Sequence, residues 1–65
     1  MTRETLEKLP EIVRKNIEGL RHDYKSNVVN KDVARAQSAW YLKGLRDSGV
    51  ITERERQVLY CYTTV

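Results

Sequence analysis

The sequence is short of the residues that most often carry chemistry, with one cysteine, one histidine, one proline, one tryptophan and three glycines in 65 positions. A lone Cys61 excludes an internal disulfide, and one cysteine with one histidine cannot supply the donors of a zinc site within one chain. No glycine-rich phosphate loop, nucleophile elbow or paired-carboxylate spacing occurs. The expectation is therefore a non-enzymatic protein with no catalytic residue, no cofactor and no metal. No apolar run approaches the roughly 20 residues a bilayer requires. The opening residues MTRETLEKLP carry acids where a signal peptide is apolar. Both absences point to a cytoplasmic protein without a membrane partner. Repeats, low-complexity tracts and linkers are missing too, so residues 1–65 read as a single small domain.

What the chain does have is charge and helical periodicity. Twelve Lys+Arg against nine Asp+Glu give a net charge of +3, compatible with nucleic acid or an acidic protein but too small to demand either. At this length apolar burial and conformational entropy nearly cancel, so marginal stability or help from a second copy is expected.

Leu6, Leu9, Val13, Ile17, Leu20 and Tyr24 recur at steps of three or four, the stripe of an amphipathic helix. Pro10 suits the start of a helix better than its interior, which predicts a short lead-in turn over residues 3–9 and a first helix over 10–25. Residues 25–30 read as a loop whose valines tuck under the helices. Asn30 caps a second helix over 31–48, with a core arc of Val33, Ala36, Trp40, Tyr41, Gly44 and Leu45. Gly49 can take the left-handed conformation that stops a helix, and Thr52 with Glu55 forms a capping box for a third helix over 53–62. Val58, Leu59, Cys61 and Tyr62 are expected on its inner face, with Cys61 buried and residues 63–65 frayed. The predicted fold is all-α, a three-helix domain whose last two helices make a tight helical hairpin.

The functional expectation is protein–protein interaction, as inhibitor, adaptor or regulator. Lys31, Arg35, Leu42 and Arg46 share one side of the second helix, away from that core arc. Tyr60 comes level with Leu42 across the hairpin. Leucine and tyrosine rimmed by arginine is the make-up of a binding hot spot, so these five residues are the predicted partner-binding surface, for another protein or for a homodimer. The alternative is a nucleic-acid-binding module using Arg14, Arg21, Lys25, Lys31 and Arg35 on the basic helix faces.

Two stretches resemble known families. Leu42, Leu45, Gly49, Ile51, Thr52 and Glu55 form a pattern similar to the SHOCT-type short helical hairpin, which implies an interaction or oligomerisation module and no catalytic residue. Residues 51–59, ITERERQVL, look like the opening helix of the DNA-binding domain of LuxR-type response regulators. In that family a later recognition helix reads DNA, so the resemblance implies capping of a charged helix and no DNA-reading residue here. In size and make-up the chain resembles small phage or mobile-element products that inhibit or redirect one host protein.

Overall fold

Four helices account for most of residues 2–65, the part of the chain that the computed structural model describes: α1 (Thr2–Glu7), α2 (Glu11–Ser26), α3 (Lys31–Asp47) and α4 (Glu53–Thr63). The described residues include no strand, as the sequence predicts. The lead-in segment is a short helix in its own right, and it packs against α4. Pro10 sits one position earlier than expected: it is the N-cap of α2, with an extended ψ of 148°, and its carbonyl accepts the Arg14 amide at 3.0 Å.

The stop between α3 and α4 forms as its residues dictate. Gly49 has a φ of 83°. The Val50 amide donates to Leu45 O at 2.9 Å and the Gly49 amide to Arg46 O at 3.0 Å, the paired bonds of a Schellman motif. Thr52 Oγ1 accepts the Glu55 amide at 3.1 Å while Glu55 Oε1 accepts the Thr52 amide at 2.8 Å. Between stop and cap, Ile51 drops into the core.

Leu6, Leu9, Ile17, Leu42, Ile51 and Leu59 form that core, with Val13, Tyr41, Leu45, Tyr60 and Tyr62 packed around it. Of the predicted stripe, Leu6, Leu9, Val13 and Ile17 build or pack against the core, whereas Leu20 and Tyr24 are half-buried outside it. On α3 the buried positions are Ala34, Ser38 and Leu42, whereas Val33, Ala36, Trp40 and Gly44 are exposed. The predicted core arc is therefore corrected by about one residue, roughly 100° around the helix. The hairpin explains the rotation. It fixes Leu45 and Ile51 on the inside, and the positions one, two and three turns back from Leu45 on the same face are Leu42 and Tyr41, then Ser38, then Ala34. Small Ala34 and Ser38 fit between three helices where an indole would not. A Cβ added at Gly44 would meet nothing within 4 Å, so this glycine serves no helix approach inside the chain.

Three further expectations are corrected. Asn27, with a φ of 58°, closes α2 after Ser26, which leaves so short a loop that Val28 points outward instead of tucking under. Cys61 is exposed, because it lies two positions, about 200°, from the fully buried Leu59. Thr63, one turn beyond Leu59, is buried, and its hydroxyl donates to Tyr60 O at 3.2 Å. Arg21 Nη1 donates to Tyr62 O at 2.8 Å, so the end of α4 is tied down.

Ser38 is the exception to good polar pairing: it is fully buried and its Oγ has no hydrogen-bond partner among the described residues. An unpaired buried hydroxyl costs about 1 to 3 kcal/mol of desolvation. Ser38→Ala is accordingly expected to raise stability by about 1 kcal/mol. The urea midpoint should move up with an unchanged slope; a lower midpoint would show that the hydroxyl has a partner.

Candidate interaction surface

The predicted partner-binding residues do not assemble into one outer patch. Leu42 is fully buried, 0% exposed, at the centre of the core. It cannot be a surface anchor, and that expectation is withdrawn. Tyr60 is half-buried and packs against the same core. Its position next to Leu59 turns it only about 100° from the core axis of α4, so it flanks the interior.

The basic members are engaged locally. Lys31 Nζ lies 3.9 Å from the centroid of the Tyr24 ring and donates to Tyr24 O. Arg35 Nη2 reaches Tyr24 Oη at 3.4 Å and its Nη1 reaches Asp32 Oδ1 at 3.2 Å. Arg46 Nη1 donates to Glu53 Oε1 at 2.6 Å, with Asp47 at 3.2 Å from Nη2.

Among the alternative nucleic-acid residues, Arg21 places its guanidinium 4.2 Å from the Tyr62 ring centroid. The Tyr62 hydroxyl donates to Glu18. That bond, with burial second, holds the phenol pKa above its usual value. Arg21, Tyr62 and Glu18 thus make a clasp between α2 and α4. Lys25 is exposed and shares an open depression with Glu18, Arg21 and His22. Arg14 lines a second depression beside Arg3, Glu7 and Glu18, so both basic sites are diluted by carboxylates.

Glu53 joins the hairpin electrostatically. It accepts from Arg56 Nη2 at 2.6 Å, Arg46 Nη1 at 2.6 Å and Gln57 Nε2 at 3.0 Å. The Arg56 bonds first, and Arg46 next, hold its carboxyl well below the usual carboxylate range. A carboxyl whose pKa falls on folding contributes stability above its unfolded pKa and loses it as pH drops toward the folded one. Glu53→Gln is therefore expected to flatten the acid limb of the stability curve. Urea melts between about pH 6 and pH 2 would show it, and parallel curves for the two proteins would contradict it.

The surface that sequence reasoning assigned to the interior is the one left open. Trp40 is 71% exposed and Val33 43% exposed on the outer side of α3. Ala36, Ala39, Lys43 and Gly44 are exposed around them, and Lys43 Nζ stands 5.4 Å from the Trp40 ring centroid. α3 thus carries two apolar stripes at helical spacing, and its own fold covers one. The doubled stripe is legible in the sequence: residues 33, 36, 40 and 44 keep the same three-or-four spacing as 34, 38, 41 and 45.

Comparison with family models, curated proteins and solved structures finds no match. Among the described residues no helix is long and apolar enough to cross a membrane, and no group of His, Cys, Asp and Glu is placed to hold a metal ion.

Proposed function

We propose that the protein acts without catalysis, by binding a protein partner, another protein or a second copy of itself, through the outer face of α3. The observation that carries this reading is Trp40, the chain's sole tryptophan, standing 71% exposed beside Val33 on a helix whose other stripe already supplies the core. Tryptophan is the side chain most enriched in binding hot spots, and an apolar cluster rimmed by charge is their usual setting. Lys43 and Asp32 provide that rim here. The resemblance of residues 42–59 to SHOCT-type hairpins supports an interaction module, and the general look of a phage or mobile-element product supports a host protein as its target.

The test is capture from lysate of the native host by the wild-type chain and by Trp40→Ser, with circular dichroism confirming equal helicity. A specific partner should be retained by the former and weakened by about 2 kcal/mol, some thirty-fold, in the latter. Equal retention by both would refute the reading.

A second reading rests on Tyr24, where Lys31 and Arg35 bring two cations to one aromatic ring, the composition of a nucleic-acid contact. It requires retardation of DNA or RNA that falls steeply with salt and is lost in the Lys31→Glu, Arg35→Glu double variant.

A further inference from the structure

We infer that the occupant of the outer α3 face is a second copy of the same face, paired antiparallel about a two-fold axis level with Gln37 and Ser38. The inference rests on the reading that the Trp40 face binds protein, and it names the partner.

Three features make the face complementary to itself. The first is charge. Asp32 and Lys43 lie about three turns apart on the same side of α3, one near each end. The Asp32 side chain is 97% exposed despite its bond to Arg35, and that of Lys43 is 52% exposed, with Asp47 at the 4.0 Å limit. Each has charge to offer outward. In an antiparallel pair with the axis at that level, Lys43 of each copy stands opposite Asp32 of the other, and the contact occurs twice because the interface is isologous.

The second is size. Ala36 and Trp40 are one turn apart, and the same axis sets each Trp40 one residue, about 1.5 Å along the helix, from the level of Ala36 of the other copy. A small residue there gives the indole a notch instead of a second indole. The third is direction. A parallel pair in register would set Asp32 against Asp32, Lys43 against Lys43 and Trp40 against Trp40. The antiparallel arrangement removes all three conflicts and opposes the two helix dipoles favourably. One 17-residue helix, about 25 Å long, gives an interface at the small end of specific contacts, so the association is expected to be weak and concentration-dependent.

Sedimentation equilibrium of the full chain from about 5 µM to about 1 mM covers that range. The wild type should pass from monomer to dimer, and Trp40→Ser should stay monomeric. Asp32→Lys and Lys43→Glu should each weaken self-association at least about tenfold, since each sets like charges opposite one another twice. An equimolar mixture of those two variants should regain a dimer near wild-type affinity, because the mixed pair restores both contacts. A change that merely damaged the fold would not be rescued by mixing. A wild type that remains monomeric throughout, a dimer indifferent to Trp40→Ser, or two weakened variants that do not recover on mixing would each overturn the assignment. If the free chain is monomeric yet Trp40-dependent capture of another protein persists, the second-copy assignment alone falls; if that capture is also absent, the underlying reading falls with it.

Discussion

Leu42→Ala is expected to destabilise the fold by about 2 to 5 kcal/mol, the range for emptying a fully buried leucine site. A core of this size rarely supplies more than about 3 to 5 kcal/mol in total. The variant should therefore be largely unfolded at room temperature, with most of the helical circular dichroism signal lost before any denaturant is added. Leu42 touches the part of the molecule least able to collapse around a void, because α2, α3 and α4 all meet there and Ile17 and Leu59 are themselves fully buried. The contrast with Trp40→Ser is the sharper measurement. The larger side chain is removed from the surface at little cost in stability, while the smaller one is removed from the core at a cost near the whole stability of the domain. A Leu42→Ala protein that stayed folded and lost binding would return Leu42 to the surface and invert the assignment of the two faces.

Gly49→Ala is expected to cost about 1 to 2 kcal/mol, the penalty for holding an L-residue in the left-handed conformation. Space is not the obstacle, since a Cβ at Gly49 would meet nothing within 4 Å. The cost is conformational: a φ of 83° is unfavourable for alanine whatever surrounds it. Relaxing that angle would break the Val50 amide bond to Leu45 O and swing Ile51 out of the core. Thermal melts should show a lower midpoint with wild-type helicity at low temperature. Gly49→Asn should fall between the two, because asparagine tolerates this region better, as Asn27 does at the end of α2 with a φ of 58°.

The contrast between hairpin and faces shows which parts of the molecule were legible before the structure. Asn30, Gly49, Thr52 and Glu55 read correctly because each acts on backbone groups within a few positions, and nothing distant can change that chemistry. The α2 stripe read correctly through Val13 and Ile17, because no second apolar stripe competes with it on that helix. α3 has two such stripes, and apolar surface by itself favours the wrong one: Val33 and Trp40 carry more of it than Ala34 and Ser38. What decides is the volume available between α2 and α4, a property of three helices together. The predicted binding surface inherited that rotation. Once the arc turned by one residue, Leu42 passed to the interior and Trp40 to the exterior, so the expected hot spot changed faces while its composition, an apolar anchor beside basic rim residues, stayed the same. The order of the C-terminal turn was missed for a related reason, since Tyr62 is tied to Arg21 and Glu18 on α2, 41 and 44 positions away in sequence.

The stop and cap at residues 48–55 also impose a timetable. Their bonds join residues no more than six apart and close without waiting for the rest of the chain, so α3 and α4 can come together as a helical hairpin on the microsecond scale of local structure. α1 closes its own end locally, with the Lys8 and Leu9 amides on Thr5 O and Leu6 O, but it packs on α4 and must find it across nearly the whole length of the chain, and loop closure over that distance comes late. In kinetic terms, changes at Gly49 or Thr52 should slow refolding, whereas changes at Leu6 should leave refolding nearly untouched and hasten unfolding.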